Sequence, residues 1–121
     1  MFELIALMIL SQQPIQPHAA GVASYYTVAS SSGLTASGEA MRDDLPTCAL
    51  RDGIFGDYYL FVAENGNSVV CRLNDRGPFV KDRVADLSLA AIRALDQHAG
   101  LVKVAIYHLG PNPPPGFPGN S

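Results

Sequence analysis

The segment LNDRGPFV, residues 73–80, places an acid, a base, a glycine and a proline between two apolar runs. Gly77 and Pro78 suit a turn, but a turn does not need Asp75 followed at once by Arg76. A carboxyl group at a strand end either caps the turn or transfers protons to and from a bound substrate. Asp75 is therefore the first candidate for chemistry. Arg76 could bind a substrate or pair with a carboxylate.

A second candidate acid, Glu39, lies in the segment ASSSGLTASGEAMRDDLP, residues 29–46. These small and polar residues are too poor in apolar side chains to form core. A connection of this length is unusual in a compact domain unless it has a function. Glu39 is therefore either a solvated surface charge or part of a site.

The cysteines and histidines do not form a metal-binding pattern. A zinc site needs four ligands, often in close pairs, whereas His18, His98 and His108 are scattered and Cys48 and Cys71 lie far apart. We therefore expect no metal and no cofactor. In an exported protein the two cysteines are expected to form a disulfide, and in the cytosol they would be buried thiols.

Length and composition limit the function classes. The 121 residues suit one domain with one modest core, and 48% hydrophobic with 16% charged residues excludes a disordered tail or a coiled coil. The net charge is -3 and no run of lysine or arginine occurs. A nucleic-acid binder needs clustered positive charge to neutralise phosphates, so this class is excluded.

Short strands must position the two acids. The clearest signal is the pair of β-rich runs that flank Asn65-Gly66, a dipeptide typical of a tight hairpin turn. One helix is predicted in DLSLAAIRALDQHAG, with Ser88 as N-cap and Gly100 as its stop. So many short strands need covered edges, which favours a small closed β-barrel. The other predicted strands are VASYYTV at 22–28, TCAL at 47–50 and LVKVAIYHL at 101–109.

The two ends of the chain differ from the middle. The apolar run FELIALMIL at 2–10 is too short to span a membrane. Residues 1–20 are either a signal peptide, weak because no lysine or arginine precedes the run, or a short N-terminal helix, or the product of a wrongly chosen start codon. Residues 111–121 are rich in proline and predict a flexible tail.

Three stretches together resemble the RlpA-like family of double-psi β-barrels, bacterial cell-wall proteins that include lytic transglycosylases. They are ASYYT at 23–27, LTASGEAM at 34–41 and VVCRLNDRGPFVKDRVADLSLAAIRAL at 69–95. The combination of NDRGPF with the following R..DLS is the specific part. The resemblance implies a mainly β fold, a six-stranded double-psi barrel over residues 21–110 with one or two short helices.

The resemblance also implies a reaction. The family cleaves peptidoglycan glycan strands between N-acetylmuramic acid and N-acetylglucosamine, and the C6 hydroxyl of the muramic acid attacks the anomeric carbon to leave a 1,6-anhydro end. This chemistry needs a proton donor for the leaving oxygen and a group that accepts the hydroxyl proton or steadies positive charge. Asp75 and Glu39 match the family positions for this pair.

Further roles are implied around the two acids. Asn74, Arg76, Tyr25 and Ser37 are the implied substrate-binding residues, although a strand tyrosine such as Tyr25 often only packs. The implied partner is the peptidoglycan glycan strand, outside the cytoplasm, bound by a monomer without a membrane span or nucleic acid.

One position departs from the family. Where members typically read TAAH, this chain reads TCAL at 47–50, so the family histidine is replaced by Leu50. Leucine neither donates nor accepts a proton. Two other functions therefore stand beside the enzyme: a glycan-binding or expansin-like wall-loosening module, and a barrel used as a protein-binding scaffold.

Overall fold

The fold is a closed barrel of six strands with one α-helix, seen in a computed structural model that describes residues 16–31 and 33–118. The strands are β1 (Ala19–Tyr25), β2 (Thr47–Leu50), β3 (Tyr58–Ala63), β4 (Ser68–Asp75), β5 (Arg83–Leu87) and β6 (Val102–Gly110). Around the barrel they follow the order β1-β5-β2-β4-β3-β6, and β6 pairs with β1 to close it. The mainly β fold class and the six-stranded barrel are thus confirmed.

The predicted hairpin is present as β3 and β4. Their residues pair antiparallel from Tyr58 with Arg72 to Val62 with Ser68, and Gly66 in the turn has φ +89°. Such a positive φ is readily adopted by glycine, which explains why the Asn-Gly signal was informative. Alternation within β4 places Cys71 and Leu73 in the core and leaves Arg72 between them on the outer face.

Two pairs of neighbouring strands in the barrel are parallel, and each pair joins strands that lie far apart in the sequence. Strand β1 runs parallel to β5, and β2 runs parallel to β4. Each pair contains a register shift, between Val22 and Ala23 in β1 and between Cys48 and Ala49 in the pairing of β2 with β4. In the second pair Leu73 lies opposite Cys48 and Asp75 lies opposite Ala49, so β4 has one extra residue, Asn74.

The core fills the barrel with side chains from all six strands and from the helix α1 (Leu89–Leu95). Ser88 caps α1 as predicted, since its Oγ accepts a hydrogen bond from the Ala91 N–H. The fully buried Ser88 hydroxyl also donates to the Leu45 carbonyl. The cap therefore fastens the start of the helix to the chain that enters β2.

Some boundaries differ from the sequence prediction. The helix ends at Leu95 rather than near Gly100, because its C-cap Asp96 has extended backbone angles and the Asp96 side chain accepts the His98 and Ala99 N–H groups. The strand β5 was not predicted as a strand. The first strand is Ala19–Tyr25, whereas residues 22–28 were predicted, so it begins and ends three residues earlier than expected. Residues 1–15 lie outside the described part.

The described part of the proline-rich segment packs against the barrel. The ring of Phe117 meets the ring of Tyr58 edge-on, with centroids 4.9 Å apart. Pro114 to Pro118 form one wall of a cleft of about 380 Å³ whose other walls include Val69 and Val70 of β4 and Ala90 of α1. Flexibility of residues 111–121 stays a prediction, and 119–121 lie outside the described residues.

Cys48 and Cys71 are free thiols in this structure, so the predicted disulfide is not confirmed. Both are fully buried, and the thiol of Cys48 lies within hydrogen-bonding reach of Cys71. Burial raises the pKa of the Cys71 thiol well above its usual value. The strands that carry the two residues are direct neighbours, as the disulfide prediction required.

No helix in the described ranges has the length and apolar character needed to cross a membrane.

Candidate active site

The extra residue in β4 determines the side of the strand on which Asp75 lies. Leu73 faces the core, and the extra residue Asn74 shifts the alternation so that Asp75 returns to the outer side, the side of Arg72. Asp75 is half-buried. Its Oδ1 accepts the backbone N–H of Arg76 at 2.9 Å and that of Ala36 at 2.8 Å. Within 16–31 and 33–118 no hydrogen bond engages its Oδ2.

The loop that carries Glu39 lies against the end of β4. Besides the bond from Ala36 to Asp75, the Ser37 N–H donates to the Asn74 carbonyl at 3.1 Å. The loop is closed on itself by the Thr35 N–H, which donates to the Glu39 carbonyl at 2.9 Å. The fold therefore brings the two predicted acids to one place.

Glu39 forms a two-pronged ion pair with Arg72. The guanidinium donates to Oε1 at 2.5 Å and to Oε2 at 2.6 Å. This hydrogen bonding lowers the pKa of the Glu39 carboxyl, and Glu39 in turn raises the pKa of Arg72. The Glu39 side chain is 41% exposed, so the pair can still be reached by a ligand. Glu39 is thus held as an anion.

Ser37 and Asn74, two of the predicted substrate-binding residues, lie where the Glu39 loop meets β4, since the Ser37 N–H donates to the Asn74 carbonyl. The Ser37 hydroxyl bonds to the Thr35 hydroxyl at 2.9 Å and reaches the Glu39 carboxylate at 3.5 Å. Asn74 is 2% exposed, and its Oδ1 is buried without a hydrogen-bond partner among the described residues. Substrate binding by either residue stays a prediction.

Tyr26, rather than Tyr25, belongs to the surroundings of Asp75. Burial raises the pKa of the Tyr26 phenol strongly, and the negative charge of Asp75 adds to the rise. Its hydroxyl bonds to Thr47 Oγ1 at 2.6 Å. The ring of Tyr25 instead lies 5.4 Å below the guanidinium of Arg93 on α1. Tyr25 is the last residue of β1, and Tyr26 follows it outside the strand. Substrate binding by Tyr25 stays a prediction.

The Arg76 side chain binds the loop between β2 and β3. Its Nη2 donates to the Gly53 carbonyl at 2.7 Å, and its guanidinium lies 4.1 Å from the centroid of the Phe55 ring. Its Nη1 is buried without a hydrogen-bond partner in the described part of the chain. Of the two roles considered for Arg76, pairing with a carboxylate is therefore not what the structure shows, and substrate binding stays a prediction.

No histidine takes over the missing family position. Leu50 is 1% exposed and packs in the core. His18 bonds to Asp52 at 2.8 Å and His108 bonds to Asp57 at 2.6 Å, while the His98 N–H bonds to Asp96. Among the described residues no group of three or more His, Cys, Asp or Glu is arranged to hold a metal ion.

Sequence reasoning missed Arg72, the partner of Glu39. The only signal was a lone arginine inside an apolar strand, flanked by Cys71 and Leu73. A charge at such a position needs a partner or solvent. The pattern could have marked Arg72 as paired, but it could not have named a residue in a distant loop.

Comparison with known proteins gives a consistent family. A family model described as lytic transglycolase matches residues 18–106. The chain is 42% identical over 94 residues to a probable endolytic peptidoglycan transglycosylase RlpA of Treponema pallidum, covering 76% of this chain and 30% of the relative. It is 38% identical over 90 residues to the RlpA of Pasteurella multocida, covering 74% of this chain and 29% of that protein.

The chain spans less than a third of the length of these relatives. The RlpA of Escherichia coli is 40% identical over 86 residues, which cover 70% of this chain and 24% of the relative.

Solved structures share the fold at lower identity. An expansin of Clavibacter michiganensis superposes with a TM-score of 0.60 at 20% identity, over 80% of this chain and 52% of the expansin. A Streptomyces papain inhibitor superposes with a TM-score of 0.55 at 19% identity, over 78% of this chain and 99% of the inhibitor. At these identities the two structures show only that the fold is the same. The family match and the relatives show that the chain belongs to the RlpA-like lytic transglycolase family of double-psi β-barrels.

Proposed function

We propose that this chain is an endolytic peptidoglycan lytic transglycosylase that cuts between N-acetylmuramic acid and N-acetylglucosamine and leaves 1,6-anhydro ends. The observation that carries the proposal is the bond from the Ala36 N–H to Asp75 Oδ1 at 2.8 Å, which fixes the Glu39 loop beside Asp75. Both acids remain accessible at the surface. Relatives named endolytic peptidoglycan transglycosylase support the same reaction.

Asp75 is the proton-transfer residue in this proposal. Its protonated carboxyl donates a proton to the glycosidic oxygen as the bond from that oxygen to C1 of the muramic acid breaks. The C6 hydroxyl oxygen of the same sugar then bonds to C1 and returns its proton to the Asp75 carboxylate. No water is consumed, and the enzyme ends in its starting protonation state. The N–H groups on Oδ1 hold the carboxyl so that Oδ2 faces the substrate.

Glu39 has a different part. The ion pair with Arg72 keeps it negative, so it is unsuited to donate a proton near neutral pH. Its charge can steady the positive charge that develops at C1, reduced by the neighbouring guanidinium. We assign the acid and base steps to Asp75 and the electrostatic and positioning part to Glu39.

The test is digestion of purified peptidoglycan, with anhydro-muramic products read by mass spectrometry. Asp75→Asn keeps an oxygen that can accept the Ala36 and Arg76 N–H groups but cannot transfer protons. We expect product formation to fall about 10²- to 10⁴-fold. Asp82→Asn, an exposed acid on the following loop, is the matched control and should retain activity. Undiminished products from Asp75→Asn would show that the wrong residue is named.

A second function is favoured by one observation, the buried Leu50 at the family histidine position. Without that histidine the barrel would hold glycan without cutting it, as a binding or wall-loosening module. Retention on insoluble peptidoglycan with no anhydro products from the unmodified protein would support this function. Retention with products would support the enzyme.

The proposed substrate implies a location outside the cytoplasm. Peptidoglycan lies in the cell envelope, so we propose an extracytoplasmic location, and the relatives named for action on peptidoglycan support it. Cell fractionation with an antibody against the chain would test the location, and recovery only in the cytoplasm would contradict it.

A further inference from the structure

An exposed apolar patch lies on two loops next to the site. We define it as the apolar rim: Ile54 and Phe55 from the loop between β2 and β3, and Phe79 and Val80 from the loop between β4 and β5. Phe79 is 81% exposed, and the other three side chains are exposed as well. Single exposed apolar side chains are ordinary, whereas four on two neighbouring loops form a candidate binding surface.

Two arginines clasp these loops to each other in opposite directions. Arg51 reaches from the first loop and donates to the carbonyls of Pro78 at 2.8 Å and Val80 at 2.9 Å. Arg76 reaches back and donates to the Gly53 carbonyl at 2.7 Å. Each guanidinium presents several donors in a fixed plane, so the carbonyls are held at defined positions. The rim is therefore a prearranged surface, despite lying on loops.

The clasp is continuous with the proposed catalytic carboxyl. The backbone N–H of Arg76 donates to Asp75 Oδ1, and the side chain of the same residue stacks on Phe55. A substrate bound at Asp75 that extends toward this side therefore meets the rim. The polymer proposed as substrate extends well beyond its reacting bond, whereas a single carboxyl cannot hold a strand in register. Contacts away from the reacting bond supply binding energy that orients it.

We propose that the apolar rim is a sugar-binding subsite, in which Phe55 and Phe79 pack against the C–H faces of glycan rings beside the ring that reacts at Asp75. The inference rests on the proposed function because it names where the same substrate is held. Pyranose rings present apolar faces that pack on aromatic rings, while their hydroxyls point outward to solvent. The rim supplies two such rings.

The test uses Asp75→Asn as the parent, so that glycan is bound and not cut, and measures retention on insoluble peptidoglycan over a range of concentrations. Adding Phe55→Ala and Phe79→Ala should weaken retention about tenfold, which corresponds to about 1.4 kcal/mol. Phe79→Trp keeps a stacking face and should preserve retention. Leu101→Ala removes a similarly exposed apolar side chain, 53% exposed, outside the rim and should change nothing.

The results distinguish failure of the subsite from failure of the proposed function. Equal retention of the parent and the double alanine variant would overturn the subsite and leave the proposed function standing. No retention of the parent itself would overturn both. Sedimentation of the same proteins measures their oligomeric state. If the parent is a dimer, the double alanine variant is a monomer and glycan binding is unchanged, the rim is a self-association surface and the subsite is overturned.

Discussion

Arg72 determines what Glu39 can do. A glutamate in a polar loop would ordinarily titrate near 4.5, but the guanidinium bound to both its oxygens lowers the Glu39 pKa. The same contact ties the loop to the outer face of β4. In the proposed reaction Glu39 therefore supplies a fixed charge, and proton transfer is assigned to Asp75.

Replacing Arg72 with methionine should change stability in a pH-dependent way. A lowered folded-state pKa means that the pair stabilises the protein above the unfolded value of about 4.5 and that this contribution is lost as the pH falls through the folded value. We expect Arg72→Met to cost about 1 kcal/mol at pH 7, because the pair is partly exposed and screened by solvent. Urea unfolding from pH 7 down to pH 2 measures the difference, which should shrink below about pH 4.5.

Arg42→Met is the control for this prediction. Arg42 pairs with Asp44 on the surface, and both side chains are more than half exposed. Its loss should leave the urea midpoint almost unchanged at every pH. A cost from Arg72→Met that does not vary with pH would mean that packing of the arginine stem, rather than charge, stabilises the loop.

At the scale of elements, the loop between β2 and β3 depends on one close approach. Gly53 has φ +109°, and a Cβ there would lie 2.5 Å from the Tyr59 hydroxyl and 2.9 Å from Leu73 Cδ2. Its carbonyl also receives the Arg76 guanidinium. The backbone at Gly53 therefore lies directly on the barrel core, where a side chain cannot fit.

Gly53→Ala should destabilise the protein by about 2–4 kcal/mol, from backbone strain together with overpacking. Gly56→Ala in the same loop is the matched control, because it has φ +90° but no atom within 4 Å of its added Cβ. Gly56→Ala should show the strain alone, about 1–2 kcal/mol. Thermal or urea unfolding compares the two variants, and an equal cost would show that the close approach to Tyr59 and Leu73 is not limiting.

Elements with local signals were predictable, and elements set by distant partners were not. The hairpin and the helix cap were predicted because Asn65-Gly66 and Ser88 act through their immediate neighbours. Strand β5 was missed because Arg83 and Asp86 place two charges in five residues, and it becomes a strand only between β1 and β2. Tertiary pairing overrides local preference at such positions.

The site was predictable to a similar degree. Resemblance to a family pointed to Asp75 and Glu39, and the fold brings both to the end of β4. The partners that define their roles were not predictable. Arg72 lies on a different element from Glu39, and the arginine clasp of the rim donates to backbone carbonyls, which any residue type provides.

For the whole molecule, the packing of the proline-rich segment is the least expected feature. Phe117 covers Tyr58, whose strand position pairs with Arg72. The backbone turns at this point, since the Phe117 N–H donates to the Pro114 carbonyl at 3.1 Å. A segment predicted as a flexible tail therefore contributes an aromatic contact on the outer face of the barrel, beside the strand that carries both Arg72 and Asp75.

Phe117→Ala should lower the free energy of unfolding by about 1–2 kcal/mol, since it removes part of a buried aromatic contact. Phe79→Ala is the matched control and should cost less than about 0.5 kcal/mol, because that ring is mostly exposed. Urea unfolding measures both. Similar small costs for the two variants would show that the segment from 111 to 118 does not hold the barrel together.

Closure of the barrel has a further consequence for how the chain reaches its native state. Among the described strands, β1 is hydrogen-bonded only to β5 and β6, which come after the other strands of the barrel in the sequence. The backbone of β1 therefore finds its partners only after the other strands of the barrel have been synthesised, and contacts between residues so far apart in the sequence form slowly. A nascent chain lacking residues 102–110 leaves β1 and β3 each short of a partner, so we expect the barrel to fold only after translation has passed its final strand.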